Sequence, residues 1–517
     1  MFDLILEGGW IVDGSGNPGY WGDVGVQGDR IAAIGRLKDA PARRRLKADG
    51  LVVCPGFVDM HSHSDIFWLA QPEALPKIRQ GVTTEIIGQD GISYAPVSPA
   101  NMPFWREYLA GLNGDFDIDW DWSSVGEFLD RLGRRVSLNL AYLVPHGAVR
   151  MEVMGLEKRT AGPAELARMA ELVEQGLRQG AFGLSTGLYY VPAVYADTAE
   201  LIALCQVVAR HNGLFVTHMR DYGAHIEEAF EETCAVCRQT GVRTHISHFN
   251  TTAEIGNRLM DRARQERLDI TYDSYPYLAG CTLLSAILPP WVQEGTVEEA
   301  VERLRRPENR RLLARELEER AVRLELLYIA GVRTPANQGY AGRNVLEAAK
   351  LAGQEPADFL ADLLIAERMA VPAIAHHTYR TEEDFRALLR RREQIVGSDG
   401  VLVGSHPHPR GYGTFPRILG RYVRQERVLE LEEAVRKMTW AAAGRVGLAQ
   451  RGLLLEGWFA DITCFDPAAV IDRATYEQGN LPPEGIRYVL VNGQVVLEEG
   501  EHTGAYPGRA LRSRQEG

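Results

Sequence analysis

The stretch VVCPGFVDMHSH, residues 52–63, decides the predicted fold. Its short apolar run is typical of a buried strand. His61 and His63 stand at its end, and residues two apart in an extended chain face the same side. Such a pair can direct two imidazoles into one site, but taken alone it is also consistent with two hydrogen-bonded histidines beside a loop. The other strands must decide between these two interpretations.

Seven further apolar runs follow, and helical stretches such as residues 162–180 separate several of them. The runs are VTTEIIGQD, LNLAYLVPHG, AFGLSTG, GLFVTHMR, RTHISHFN, DITYDSYPY and QIVGSDG. Alternating strands and helices indicate a parallel sheet, and eight such units indicate a closed barrel. The sequence therefore predicts an α/β fold, with a TIM-type (β/α)8 barrel over residues 55–440 and an insertion at about 280–390.

Both ends of the chain have a different texture, in which short alternating apolar and polar runs are separated by Gly and Asp. Asn492-Gly493 joins two such runs near the C-terminus and predicts a hairpin. We therefore predict that residues 1–54 and 441–517 together form one small β-sandwich domain.

Composition excludes several classes of protein. The 517 residues carry a net charge of −12, which disfavours nucleic acid and anionic membranes as partners. Six scattered cysteines are too few for a disulfide framework; Cys234 and Cys237 lie in a predicted amphipathic helix and are expected in its core. The N-terminus lacks a signal-peptide pattern, and no apolar run reaches the length of a membrane span. These features predict a cytoplasmic protein with a small-molecule substrate, and they leave a homo-oligomer open.

Polar side chains stand at the ends of five of the predicted strands. Active sites of barrels lie at the carboxyl ends of their strands, so these side chains should meet in one opening. Burying so much polarity without a partner is costly, and nitrogen and carboxylate ligands suit zinc or another divalent transition metal. We therefore predict a site for one or two Zn²⁺ ions; its candidate ligands are His61, His63, Asp90, His218, His248 and Asp399.

The motifs that surround these residues resemble the amidohydrolase superfamily, and within it the D-aminoacylase (N-acyl-D-amino-acid deacylase) branch. The matching stretches run in family order and cover nearly the whole chain. They are PGFVDMHSH, GVTTEIIGQDGISYAP, GLSTGLYYVP, THMRD, ISHFN, DSYPY, GSDG, HPHPRGYGTFPRILG and GWFADITCFDP.

The resemblance implies a metal-dependent hydrolase that deacylates N-acyl-D-amino acids, or dipeptides with a C-terminal D-residue, by a metal-activated water. Asp399 matches the catalytic aspartate that accepts and returns a proton. Arg410 matches an arginine that binds the substrate's α-carboxylate, Tyr275 is a second contact of that group, and Tyr190 matches a tyrosine near the oxyanion.

Two positions depart from the pattern of this branch. Asp90 stands where the branch usually has a cysteine ligand, and Asn250 stands where it often has a lysine near the substrate carboxylate. An alternative activity is hydrolysis of cyclic amides, as in hydantoinases and dihydroorotases, although these usually need a strand-four lysine that AFGLSTGLYY lacks. A more remote alternative is a non-catalytic scaffold with the same fold.

Overall fold

The structure, a computed structural model, describes residues 1–513, so the last four residues of the predicted range 441–517 lie outside the described residues. Each of the eight predicted runs contains a strand, and we call these strands central strands 1 to 8. In chain order they are Phe57–Asp59, Val82–Ile87, Asn139–Tyr142, Gly183–Gly187, Leu214–His218, Arg243–Ile246, Ile270–Ser274 and Gln394–Val396.

The central strands pair in parallel and in sequence order. Strands 1 to 3 form one sheet, and strands 4 to 8 form a second sheet with the short strand Val144–Pro145, which continues strand 3. Past the end of strand 1, Ser62 forms a parallel bridge with Gly400, and the amide of Asp399 donates to the carbonyl of His61 at 2.8 Å. The two sheets are therefore connected at both of their edges.

Helices separate most of the central strands, as the sequence predicts. The helix Pro163–Arg178 begins with proline in its first turn, and Glu165 accepts a hydrogen bond from the Gly162 amide at 2.8 Å. The helix Ile226–Thr240 buries both Cys234 and Cys237, so their predicted core position is confirmed.

The remaining α-helices have the following bounds: Phe67–Ala70, Leu75–Ile78, Met102–Asn113, Val125–Leu132, His146–Met154, Thr198–Arg210, Ala253–Gln265, Pro290–Gln293, Val297–Arg305, Pro307–Glu319, Val345–Ala352, Pro356–Ala366, Glu382–Leu389, Arg410–Arg417, Leu431–Met438 and Trp440–Val446. A π-helix, Ile418–Gln425, continues the helix Arg410–Arg417.

The long connection between central strands 7 and 8 folds around its own apolar cluster. It contains a three-stranded antiparallel sheet in the order Ala279–Leu283, Pro372–His376 and Leu327–Ile329. Six of the helices above, from Pro290–Gln293 to Glu382–Leu389, also lie in this connection. The sheet of this segment contributes side chains to the pocket described below.

The strands of both chain ends are joined in a single nine-stranded sheet. The predicted hairpin is present, and Asn492 and Gly493 both have positive φ, as a two-residue hairpin turn requires. The two chain ends join because Val52–Pro55 pairs with N-terminal and C-terminal strands alike, and apolar side chains of both ends share one buried cluster. The predicted sandwich arrangement stays a prediction. The other strands of this sheet are Phe2–Ile11, Tyr20–Gln27, Arg30–Gly35, Ala42–Lys47, Ile462–Phe465, Ile486–Val491, Gln494–Glu498 and Glu501–His502.

Within residues 1–513, no helix combines the length and the apolar character that crossing a membrane requires.

Candidate active site

The six residues that sequence analysis selected as metal ligands lie together beyond the carboxyl ends of the central strands. His61 and His63 follow strand 1, and their Nε2 atoms are 3.4 Å apart. The ring centroids of His218 and His248, from strands 5 and 6, are 4.5 Å apart. His61 links the two pairs, because its ring centroid lies 5.2 Å from that of His248.

Asp90 lies between the two histidine pairs. Its Oδ2 is 3.3 Å from Nδ1 of His218 and 3.6 Å from Nε2 of both His63 and His248, and its Oδ1 is 3.6 Å from Nε2 of His61. Two groups of side chains therefore have the geometry to hold a cation, and both contain Asp90. One is completed by His61 and His63, and the other by His218 and His248.

The electrostatics of this cluster match a cation site. Burial alone would raise the pKa of Asp90, but the adjacent His61 and His218 hold it well below its ordinary value. Burial would lower the pKa of His63, yet its contacts with Asp399 and Asp90 raise it to about 9. The carboxylates of Asp90 and Asp399 thus stabilise positive charge in a buried site, and a divalent cation would supply such a charge.

Two buried polar atoms of the cluster lack any hydrogen-bond partner among the described residues, namely Oδ1 of Asp90 and Nδ1 of His63. Buried polar groups are ordinarily bonded, so the unbonded oxygen of Asp90, which lies 3.6 Å from Nε2 of His61, fits a metal ion. The donor set contains nitrogen and oxygen without sulfur, which suits zinc and neighbouring transition metals.

Asp399 borders the cluster on its other side. Its Oδ1 is 3.2 Å from Nε2 of His63 and 3.6 Å from Nε2 of His61. Its Oδ2 is 2.7 Å from Nη1 of Arg410. Although burial would raise the pKa of Asp399, Arg410 and His61 lower it, so the carboxylate is ionised at neutral pH.

Arg410 is 1% exposed, and some of its N–H groups have no hydrogen-bond partner among residues 1–513. Its Nη2 donates to the carbonyl of Cys281 at 3.1 Å. Its Nη1 is at ion-pair distance from Asp399, but its N–H bonds are not aligned with that oxygen, and neither Nη1 nor Nε has a hydrogen-bond partner in residues 1–513. These donors remain available to a planar anion such as a carboxylate.

A cavity of about 330 Å³ opens onto the cluster, which is the lower end of the size range of small-molecule sites. Tyr190, Tyr275 and Arg410, the predicted substrate contacts, all line it. The hydroxyl of Tyr190 lies 3.4 Å from Oγ1 of Thr282, and the guanidinium of Arg410 lies 4.6 Å from the ring centroid of Tyr275. Eight of the nine predicted site residues therefore line one pocket, and the ninth, His61, contacts His63.

The sequence did not single out Asp273, which lies behind the cluster at the end of central strand 7. Its Oδ2 is 3.4 Å from Nδ1 of His61 and 3.0 Å from Nε2 of His245, while its Oδ1 accepts the amide of His248 at 2.8 Å. A carboxylate in this position fixes the orientation of the His61 ring. The available signal was its place at a strand end, the criterion that selected the other residues.

Arg380 and its contact with Asn250 were also missed. Asn250 lines the pocket, and its Oδ1 accepts a hydrogen bond from Nη1 of Arg380, 130 residues further along the chain. No local pattern marks Arg380, which stands in the segment TYRTEED between a strand and a helix.

Residues 47–497 match the model of the amidohydrolase family. A curated relative, D-aminoacylase of Alcaligenes xylosoxydans xylosoxydans, is 38% identical over 520 residues, covering 99% of this chain and 97% of the relative. The fold and the site geometry can therefore be compared over the whole length of a similar protein.

Two solved structures extend the comparison. A D-aminoacylase described by its binuclear metal centre superposes with a TM-score of 0.84 at 35% identity, covering 99% of this chain and 100% of that one. N-acyl-D-glutamate deacylase from Bordetella bronchiseptica, solved with zinc and a phosphonate inhibitor that mimics the tetrahedral intermediate, gives a TM-score of 0.85 at 32% identity with the same coverage. The family match over most of the chain and these full-length similarities show that this protein belongs to the amidohydrolase family.

Proposed function

We propose that the protein is a metal-dependent amide hydrolase that deacylates N-acyl-D-amino acids, or dipeptides with a C-terminal D-residue. One observation carries the proposal: two His/Asp groups that share Asp90 lie in the same pocket as an arginine with unbonded N–H groups. The first feature serves hydrolysis, and the second serves recognition of a carboxylate. The similar proteins named above are, by name, deacylases of D-amino acids.

The central strands support a closed (β/α)8 barrel as the frame of this site. They follow one another in sequence order, and the bridge from Ser62 to Gly400 connects strand 1 to strand 8. The proposed domains keep the predicted bounds, with residues 55–440 as the barrel, an insertion at about 280–390, and residues 1–54 and 441–517 as the small β domain. Closure explains why residues from strands 1, 2, 5, 6 and 8 share one opening.

Two sets of residues would hold metal ions. His218, His248 and Asp90 form one set, and His61 and His63, with Asp90 and Asp399 nearby, form the other. A divalent ion bound there acts as a Lewis acid and makes water a nucleophile near neutral pH. Asp273 holds the ring of His61 in place from behind.

Asp399 is the proposed general base. Its carboxylate faces the cluster through Oδ1 and is ionised, so it can accept a proton from the attacking water. The same carboxyl group then donates that proton to the departing amine nitrogen, which would otherwise leave as an unstable anion. Tyr190 lies on the pocket wall, where its hydroxyl can donate to the developing oxyanion.

Arg410 and Tyr275 are the proposed contacts of the substrate's α-carboxylate. Arg410 offers N–H groups on Nε and Nη1, which can donate to a carboxylate, and its guanidinium stays charged at every working pH. This places the carboxylate on the side of the pocket next to Asp399, since Arg410 also lies 2.7 Å from that residue. The scissile amide then falls between the carboxylate contacts and the histidine cluster.

A panel of substrates tests the proposal. Metal-assayed protein is supplied with N-acetyl-D-amino acids, their L-enantiomers, and hydantoins as cyclic amides. We expect the D-series to be hydrolysed fastest, and Asp399→Asn, which keeps the shape but cannot take a proton, to reduce kcat by at least ~100-fold. Faster turnover of hydantoins would favour the cyclic-amide activity, and faster turnover of the L-series would contradict the assigned stereochemistry.

A further inference from the structure

Arg380 is a buried cation with unsatisfied hydrogen-bond donors next to the substrate pocket. It is 2% exposed, and its guanidinium lies 5.2 Å from the ring centroid of Phe385. Its Nη1 donates to Oδ1 of Asn250, whereas its Nε and Nη2 have no hydrogen-bond partner among residues 1–513. The other buried arginine at the pocket, Arg410, has Asp399 at ion-pair distance, but no carboxylate of the described residues forms an ion pair with Arg380.

A buried charge without a counter-ion is costly, and such groups cluster at functional sites. The cost falls when an anion enters the neighbourhood. The hydrogen bond to Asn250 connects Arg380 to the substrate pocket, because Asn250 lines that pocket.

The hydrogen bonds from Arg380 towards the pocket all run in one direction. Arg380 donates to Oδ1 of Asn250, and this fixes the amide so that its Nδ2 donates to Oη of Tyr275 at 2.8 Å. The hydroxyl oxygen of Tyr275 already accepts a hydrogen bond, so its own O–H is left to donate. A chain of donors therefore begins at a buried cation and ends at a phenol on the pocket wall.

A second arginine contacts Tyr275, because the guanidinium of Arg410 lies 4.6 Å from the centroid of its ring. Burial raises the pKa of Tyr275 despite the nearby Arg410 and Arg380, so the phenol keeps its proton at neutral pH. The Tyr275 hydroxyl and the unbonded N–H groups of Arg410 thus form a pair of donors suited to the two oxygens of one carboxylate.

We propose that Arg380 is a positioning residue for substrate recognition: through Asn250 it orients the hydroxyl of Tyr275 and supplies positive potential, so that Tyr275 and Arg410 together bind the substrate carboxylate. The inference rests on the proposed function, because it requires a substrate that carries a carboxylate. It extends that function because Arg380, which does not touch the substrate, orients Tyr275, one of the two proposed contacts of the carboxylate.

The test compares one N-acetyl-D-amino acid with its C-terminal carboxamide, using N-acetyl-D-leucine unless another member of the panel is hydrolysed faster. Arg380→Met should lower kcat/KM for the carboxylate by about 10- to 100-fold, mainly through KM, and should change the carboxamide by less than about threefold. Arg390→Met is the matched control, since it makes the same change ten residues away at an exposed arginine, and it should leave both substrates unaffected.

A second set of variants separates recognition from folding. Arg380→Lys keeps the charge but loses the fork, so its effect should lie between wild type and Arg380→Met. Asn250→Lys places a cation directly beside the pocket. In the Arg380→Met background it should restore the carboxylate preference to within about fivefold of wild type. In the wild-type background it places the new lysine next to the cation of Arg380.

Three results would overturn the inference. One is an equal loss of activity on both substrates together with a lower Tm, which means that Arg380 only supports the fold. Another is an unchanged ratio of the two substrates in Arg380→Met, and the third is failure of Asn250→Lys to restore that ratio. If wild-type protein prefers carboxamides or hydantoins, the proposed function itself fails, and the wild-type panel alone reports this.

Discussion

Replacing Arg410 by methionine should change which substrates the enzyme prefers. Methionine fills a similar buried volume, whereas the substitution removes every donor of the guanidinium. The guanidinium has two polar contacts among residues 1–513, namely Asp399 at 2.7 Å and the carbonyl of Cys281 at 3.1 Å, and it lies 4.6 Å from the ring centroid of Tyr275. Arg410→Met therefore disturbs the proposed base as well as the carboxylate site.

The two effects differ in their dependence on the substrate. Loss of the ion pair alters Asp399 in every reaction, so it scales all substrates alike. Loss of charge-assisted hydrogen bonds to a carboxylate costs about 2–4 kcal/mol, and only a substrate with a carboxylate experiences it. Since each 1.4 kcal/mol is about tenfold, the preference for carboxylate over carboxamide should fall by roughly 30- to 1000-fold.

The assay measures kcat/KM of wild type and variant on an N-acetyl-D-amino acid and on its carboxamide. Arg417→Met is the matched control. Arg417 lies on the same helix, pairs with Asp472 at 2.9 Å and covers the ring of Tyr277 at 4.7 Å, but it does not line the pocket. This control should leave the substrate preference unchanged even where it lowers stability.

A change of less than about fivefold in the ratio of kcat/KM for the two substrates in Arg410→Met would refute the role of Arg410 in binding the carboxylate. A large but equal loss on both would mean that Arg410 serves Asp399 alone. The carboxylate would then require another partner, and the assignment to D-amino acids would lose its main structural support.

The buried charges of the chain make three further outcomes testable. Both candidate cation-binding groups share Asp90. Asp90→Asn tolerates the local positive φ but lacks the charge, so it should lower metal content well below the one to two ions per chain expected of wild type, whereas Asp90→Cys should retain zinc. Elemental analysis measures both variants, and unchanged metal content in Asp90→Asn would exclude Asp90 as a ligand. Lys77 lies 2.6 Å from Asp59 and 3.0 Å from Glu85, all fully buried, so Lys77→Met should reduce the free energy of unfolding by about 3–5 kcal/mol in urea, whereas exposed Lys350→Met should not. Burial, then Arg380 and Arg410, lower the pKa of His377 to about 4, so between about pH 6.5 and 4 the unfolded chain binds a proton that the folded chain does not. Stability therefore falls as pH falls through this window. His377→Gln should remove about 1–2 kcal/mol of that loss, given the partial exposure of the side chain, and Tm measurements from pH 7 to 4 test this.

The central strands and the cluster of candidate ligands were predictable because each depends on local pattern. An apolar run identifies a strand, and the parallel arrangement brings strand ends together whatever the loops do. Hence His218 and His248, 30 residues apart in sequence, could be placed near Asp90 from the amino-acid pattern alone. The motif resemblance added the roles of Arg410, Tyr275 and Tyr190, which no periodicity reveals.

Contacts that form only in the folded chain were not predictable. The pairing of Arg410 with Asp399 depends on how the loop after strand 8 turns back into the site, and this pairing changes how Arg410→Met must be interpreted. Arg380 comes from the long segment between strands 7 and 8, whose packing onto the pocket has no sequence signal. For the same reason, the sequence could not show that Val52–Pro55 pairs on both sides and so joins the strands of the two chain ends.

Three of the candidate ligands share a backbone feature that links the fold to the chemistry. Asp90, His248 and Asp399 have φ of 55°, 33° and 49°, a region that side-chain-bearing residues adopt at a cost of about 1–3 kcal/mol each. Each stands just past a strand end, where an extended conformation would send its side chain along the alternating faces of the strand. The left-handed turn redirects it instead.

Hydrogen bonds from the frame hold two of these turns, those at Asp399 and His248. The amide of Asp399 donates to the carbonyl of His61 at 2.8 Å, and that of His248 donates to Asp273 at 2.8 Å. His61 and Asp273 thus fix both the backbone of neighbouring candidate ligands and, through their mutual contact at 3.4 Å, one imidazole ring. Hydrogen bonds to the frame therefore set the positions of these candidate ligands, which is the preorganisation that the proposed metal-assisted hydrolysis requires.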